Sequence, residues 1–233
     1  MTRTNEHGQP VGDPVDWQGA KPPAPTVLEG RDVRLEPLSA DHADAIARNL
    51  GAHPELWTYR GDDPPADAGE AARRLASGAS ETDHLTFAVV PTASGELEGM
   101  ASYLRIDPGA GSIEVGSIIL APSLQRTRAA TETQYLLMRH AFEDLGYRRY
   151  EWKCDSLNQP SRDAALRLGF TEEGTFRNAL VVKGRNRDTT WFSVVDSEWP
   201  RLRAAFEEWL ADDNHPEGRQ RRSLAEVRAA LDG

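Results

Sequence analysis

The sequence predicts an α/β (α+β) fold: one twisted, mixed and mostly antiparallel sheet of about seven strands with helices on both faces. Three observations predict it. An apolar run at 113–120, an amphipathic helical pattern at 131–145 and an alternating run at 147–154 follow one another. A strand, crossover helix and strand of that length form a parallel pair with right-handed connection. Two further pairs of strand-like runs, 85–90 with 97–106 and 172–183 with 188–196, are joined by short Gly-containing connections that suit antiparallel hairpins. Helical spacing recurs at 40–50, 66–77 and beyond Trp199.

Along the chain, residues 1–27 read as a flexible tail. Pro10, Pro14, Pro22, Pro23 and Pro25 lie there with three glycines and few large apolar side chains, too little to bury. Val33 and Leu35 alternate in a first strand at 32–37, and Ala43, Ile46, Ala47 and Leu50 mark a first helix. The breaker Asp62-Asp63-Pro64-Pro65 precedes the second helix. In the helix at 131–145, Leu137, Met138, Ala141, Phe142 and Leu145 form one stripe, and Gly146 stands where a left-handed cap is wanted. Tyr150, Trp152 and Cys154 then alternate against Arg149, Glu151 and Lys153. Asn158 caps a short helix at 159–168 that tolerates Pro160 in its first turn and ends on Gly169. Lys183 to Arg187 form the connection of the last hairpin, and a helix after Pro200 carries Leu202, Phe206 and Leu210. The domain is bounded at 28–211, and 212–233 reads as a linker and C-terminal helical extension.

A chain of 233 residues with 39% hydrophobic content supports one sizeable core. No secretory h-region and no run of roughly 20 apolar residues is present. With a single cysteine, Cys154, this predicts a cytoplasmic protein with no membrane partner. A formal net charge of -10 argues against a nucleic-acid groove and mildly favours cationic partners such as amines, although solubility explains it equally well. The six histidines show no metal-ligand spacing, and no metal is expected. Gly109 to Glu114 fails the dinucleotide fingerprint.

The segment Gln125-Arg126-Thr127-Arg128-Ala129-Ala130-Thr131 lies between the strand ending at Leu120 and the following helix. The first amide N–H groups of a helix lack intrahelical partners, and its dipole favours negative charge there, so this turn reads as a phosphate site. Arg126 and Arg128 bring two forked guanidinium donors to an otherwise acidic chain.

This turn, the order of elements and the later Asn158-Gln159-Pro160-Ser161 to Leu168-Gly169-Phe170 together resemble the GNAT superfamily of acyl-CoA N-acyltransferases, and within it the ribosomal-protein N-terminal acetyltransferase branch. The superfamily writes its phosphate loop Gln/Arg-x-x-Gly-x-Gly/Ala. Gln125 and Ala130 match, whereas Arg128 stands where the first Gly belongs, which requires an ordinary helical dihedral and a side chain directed away from or along the pyrophosphate.

The resemblance implies acetyl-CoA as cosubstrate, held by residues 125–131, and a sheet splayed between its fourth and fifth strands. Exposed backbone at Ile118, Ile119 and Leu120 would pair with the pantetheine amides, with an N–H there as oxyanion donor. It makes Glu114 a candidate base on the acceptor side, against a solvated strand Glu or an ion pair with an arginine. Ser161 is the candidate donor to the departing sulfur and Asn158 touches the pantetheine arm, although both also suit plain helix capping. Thr127 and Thr131 can offer hydroxyls to phosphate, but Thr131 with Gln134 also fits a capping box. Trp57, Tyr59 and Tyr103 line the acceptor pocket or belong to the core. Arg187 and Asp188 are a structural ion pair or a substrate clamp. The implied activity is direct transfer of acetyl to a primary amine, on a small molecule or a protein N-terminus. A non-catalytic acyl-CoA-binding module of the same fold is the alternative. Similar enzymes are often homodimers.

Overall fold

Alternation along the strands decides which side chains meet which layer. The computed structural model describes residues 3–78 and 83–231; positions 1–2 and 232–233 of the predicted terminal segments lie outside the described residues. Four strands β3 (Leu28–Glu29), β4 (Val33–Pro37), β5 (Leu85–Pro91) and β6 (Gly99–Asp107) run antiparallel in order. They continue into β7 (Ser112–Leu120), β8 (Arg149–Asp155), β10 (Arg185–Val195) and β9 (Thr171–Val182). Only β7 and β8 pair in parallel. The eighth strand beyond the seven expected is the two-residue β3. A small separate ribbon joins β1 (Arg3–Thr4) to β2 (Pro10–Val11).

Phe87, Val89, Ala101 and Tyr103 point to one face and pack with α3 (Arg128–Arg139) and α5 (Trp199–Leu210) in the larger core. Ala88, Val90 and Met100 point to the other, where α1 (Ala43–Ile46), the π turn after it (Ala47–Gly51) and α2 (Ala68–Gly78) cover them with Ile46, Leu50 and Ala71. The helix expected over 40–50 is broken into a 3₁₀ turn, α1 and a π turn.

The turn before α3 sets the helix start earlier than the apolar stripe suggests. Thr127 is the N-cap, its hydroxyl accepting the Ala130 N–H at 3.1 Å, so Thr131 sits inside the helix. α4 (Gln159–Leu168) follows the expectation: Asn158 caps it and Gly169 closes it in the left-handed region at φ 100°. A Cβ at Gly169 would stand 2.6 Å from Leu202, so close packing as well as backbone geometry requires glycine. The last hairpin is tighter than expected, since Arg185 already pairs with Val182 across Lys183-Gly184.

Both terminal segments touch the domain. Trp17 donates from Nε1 to the Gly109 carbonyl at 2.6 Å and lies on Gly111, while the Ala20 N–H reaches Pro108 O at 2.9 Å. An indole supplies an apolar face and a donor together, which lets part of the Pro-rich segment dock despite its composition. At the other end α6 (Leu224–Ala230) buries Leu224 and Val227 and is capped reciprocally by Ser223 and Glu226.

Candidate active site

Two β-bulges shape the centre of the sheet. Between the pairs Met100–Ile119 and Ser102–Gly116, β7 carries one extra residue, and Ser117 adopts φ 50°. A bulge bends and twists its strand. Accordingly β7 pairs with β8 only from Ser112–Arg149 to Val115–Trp152, after which the two strands part, as expected for a splayed sheet. The second bulge gives β6 an extra residue between Leu104 and Asp107, with Arg105 at φ 44°. Non-glycine residues in this region each cost on the order of 1–3 kcal/mol and persist where the surrounding structure enforces them. Here the two bulges flank Glu114.

Glu114 is buried, at 2% exposure, and engaged. Its Oε2 accepts Arg105 Nε at 2.6 Å and Lys153 Nζ at 2.8 Å. Lys153 also meets Glu151 at 3.0 Å and lies 3.4 Å from the centre of the Trp191 ring. Parallel register explains the cluster: Glu114 stands opposite Glu151, two residues from Lys153 on the same face of β8. Gly116, next on the Glu114 face, leaves room for it, since a Cβ there would come within 3.0 Å of Glu114 Oε1 and 2.6 Å of Leu104. The arrangement gives Glu114 the ion-pair environment foreseen as one of its alternatives.

Where β7 and β8 separate, a cavity of about 610 Å³ opens. Glu114, Ser117 and Ile118 line one side of it, and Lys153, Cys154, Asn158 and Ser161 another. Ser161 Oγ accepts the Trp152 indole N–H at 3.0 Å, and its own proton is directed to the Cys154 sulfur. Burial pushes the Cys154 thiol up, with hydrogen bonding to Ser161 and the charges of Arg162 and Arg187 acting the other way. Asn158 Oδ1 accepts the Ser161 N–H at 3.2 Å, leaving its NH₂ group for a ligand.

The turn expected to receive phosphate lies beyond the end of β7. The N–H groups of Arg126, Arg128 and Ala129 have no acceptor among the described residues, as the start of a helix requires. Arg126 is exposed, sits at φ 62° and has no ion pair among the described residues. Ala129 and Ala130 are buried at 9% exposure and bring no bulk to the turn. Gln125 Nε2 donates to Leu120 O at 3.0 Å and braces the turn. Ile119 is buried against α1 and α2, while Ile118 and Leu120 are half-buried.

Several expected ligands have other employment. Arg128 has helical geometry and its side chain points away from the turn, with Nε 3.0 Å from Asp32, NH1 3.2 Å from Asp212, and NH2 donating to Leu210 O. It corrects the phosphate role expected for the guanidinium; only the Arg128 backbone N–H remains at the site. Thr131 is buried and its Oγ1 accepts from Arg167 at 3.1 Å, while Thr127 Oγ1 is spent on Leu124 O and the cap. Tyr103 is fully buried with its OH on Leu137 O at 2.6 Å, and Trp57 is buried with Nε1 on Leu50 O. Both are core residues and do not line this cavity. Tyr59 does line it, with its hydroxyl donating to Leu157 O at 3.2 Å. Arg187 and Asp188 form no ion pair: Asp188 Oδ1 receives the Asn178 N–H at 2.7 Å and Asn186 Nδ2 at 3.0 Å. Lys153, Arg105, Thr189 and Trp191, absent from the expected site residues, also line the cavity.

Residues 32–171 match the family model described as the acetyltransferase (GNAT) domain. The chain belongs to the GNAT acetyltransferase family. A crystal structure of a GCN5-related N-acetyltransferase from Brucella melitensis superposes with TM-score 0.87 at 46% identity, over 92% of this chain and 99% of that one. The Bacillus subtilis protein YdaF, provisionally named a ribosomal N-acetyltransferase, is 32% identical over 105 residues, which are 45% of this chain and 57% of YdaF. The ribosomal-protein-S5-alanine acetyltransferase of Vibrio fischeri shares the fold at TM-score 0.62 and 18% identity, over 75% of this chain and 98% of that one. The cosubstrate of the GNAT family is acetyl-CoA. Among the described residues no helix is long and apolar enough to cross a membrane, and no group of three or more His, Cys, Asp or Glu is placed to hold a metal.

Proposed function

We propose that this GNAT protein transfers acetyl from acetyl-CoA directly to a primary amine, with the reaction centred where β7 and β8 part. The observation that carries the reading is the continuity of three features along one gap: unpaired amides beside Arg126, diverging strand edges at Ile118 to Leu120, and the Ser161 hydroxyl. The diphosphate lies against the turn of Gln125 to Ala130, and the pantetheine arm enters the gap to meet Asn158. The amine nitrogen attacks the thioester carbonyl, forming the C–N bond, while a backbone N–H of β7 stabilises the oxyanion. Collapse breaks the C–S bond, the sulfur takes a proton from Ser161 or from water through it, and the amine proton leaves through water ordered by the Glu114 cluster. Glu114 acts in this scheme chiefly as the carboxylate that holds Lys153 and Arg105.

The acceptor is an amine on a small molecule or a protein N-terminus; the named relatives support the latter and the size of the cavity accommodates the former. Thiol release from acetyl-CoA with a panel of amines and peptides tests the reading. Saturating CoA at 100 times its dissociation constant is expected to stabilise the fold by about 2.7 kcal/mol. Absence of any thermal shift overturns CoA binding, and a shift without thiol release from any acceptor assigns the chain to the non-catalytic alternative.

A further inference from the structure

Three residues spaced two apart on β10, Arg187, Thr189 and Trp191, line one wall of the cavity. Each presents a donor with nothing to donate to. Arg187 Nε, Thr189 Oγ1 and Trp191 Nε1 are all buried without a hydrogen-bond partner among the described residues, and Thr189 is only 7% exposed. Buried polar groups in folded proteins are overwhelmingly paired, so three orphans on one cavity wall indicate a missing ligand.

The sign of that ligand follows from the charges around it. Every other cationic side chain lining the cavity has a carboxylate partner: Arg60 with Asp62, Arg105 with Glu114, and Lys153 with Glu114 and Glu151. Arg187 has none among the described residues. Its sequence neighbour Asp188 is committed to Asn178 and Asn186, and Asp155, which faces Thr189 across the sheet, accepts the Leu157 N–H. The wall therefore offers one uncompensated guanidinium and two neutral groups able to donate, one of them an indole N–H that cannot accept. Carboxylate oxygens match this set, and a planar guanidinium suits them in particular. The ring of Trp191 carries Lys153 on its face, and Lys153 bonds Glu114, so the donor wall lies one side chain from the cluster at the strand gap.

We infer that the acceptor amine carries a carboxylate, received by Arg187, Thr189 and Trp191 while the nitrogen faces the thioester. The inference rests on the acetyl-transfer reading and adds the substrate class: an amino acid, or a peptide whose first residue has an acidic side chain. Binding an anion here also offsets the charge on Arg187, which a bare alkylamine leaves uncompensated.

The test compares alanine and glutamate with their methyl esters, and C-terminally amidated dipeptides beginning with Asp with those beginning with Ala. KM for the carboxylate-bearing members is expected to be at least 10-fold lower than for their neutral counterparts, at similar kcat. Preference for free amino acids over the Asp dipeptide identifies the small-molecule source, and the reverse identifies a peptide. Arg187→Gln is expected to erase the gap between acid and ester, and Arg187→Lys to restore part of it; melting temperatures of both variants identify any loss due to unfolding. Equal KM values for acid and ester in the unaltered protein overturn the inference even if acetylation proceeds. Should no amine be acetylated, calorimetric titration of the CoA complex with glutamate and with its dimethyl ester still decides it: tighter glutamate binding that Arg187→Gln abolishes upholds the carboxylate site, and equal binding rejects it.

Discussion

At the residue scale, the buried cluster of Glu114, Lys153 and Glu151 sets two substitutions against each other. In Glu114→Gln, Lys153 keeps Glu151 at 3.0 Å and Arg105, 57% exposed, turns to water. The expected destabilisation is about 1–3 kcal/mol, the cost of an impaired buried hydrogen-bonding group. In Lys153→Met both carboxylates lose their shared cation and each keeps a single arginine, Arg105 on Glu114 and Arg149 on Glu151, so the expected loss lies at the lower end for a broken buried pair, about 3 kcal/mol. Urea denaturation of the two variants checks the order, and a larger loss for Glu114→Gln contradicts this account of the cluster. The sequence displayed Glu114, Glu151 and Lys153 as polar members of alternating strands, which is also how a solvated face looks. Their meeting depends on the register of a parallel pair separated by a whole crossover helix, and nothing local in either strand specifies that register. The positive dihedrals at Arg105 and Ser117 were hidden for a related reason, since neither is a residue type that announces a bulge.

At the scale of elements, the start of α3 is the piece on which cofactor binding depends. Thr127→Ala removes the cap on Ala130 and the hydroxyl bond to Leu124 O. A stability loss of about 1 kcal/mol is expected, together with weaker CoA binding, because the same hydroxyl sets the direction of the unpaired amides. Thr127→Ser retains the oxygen and should retain both properties; denaturation and calorimetry with CoA measure them. Strong punctuation made α4 readable in advance: Asn158, Pro160 and Gly169 each have one dominant reason to stand at a helix end. The helix over 40–50 shows the opposite case. Its apolar spacing is real and buries Ala43, Ile46 and Leu50, yet hydrogen bonding shifts from 3₁₀ to α to π within twelve residues, which side-chain period does not report. Trp57 and Tyr103 were legible as aromatics of consequence, while the choice between core and pocket required the neighbours that only the folded chain brings.

At the scale of the whole molecule, acid should remove the stabilisation that one carboxylate of the last hairpin supplies. Glu173 on β9 accepts Arg149 NH1 at 2.8 Å and Ser193 Oγ at 2.7 Å, and the Arg149 bond, ahead of Ser193, lowers its carboxyl from about 4.5 to about 2. The folded value lies below the unfolded one, so the stabilisation is present above about pH 4.5 and disappears as the pH falls toward 2. Glu173→Gln should therefore flatten the fall in urea midpoint between pH 6 and pH 3, and salt should narrow the difference because the pair is partly exposed. Equal acid sensitivity in both proteins rules this contribution out. Stretches far apart in the sequence meet at a different place. Arg128 joins Asp32 to Asp212 and Leu210, Arg31 reaches the same Asp212, and the Arg31 and Asp32 N–H groups donate to Glu132 on α3. A departure from the family's loop pattern has thus become a strut. Its consequence is an unequal dependence: a small residue at 128 would deprive the Asp32 carboxylate of its guanidinium, whereas Asp212, 84 positions along the chain, would keep Arg31.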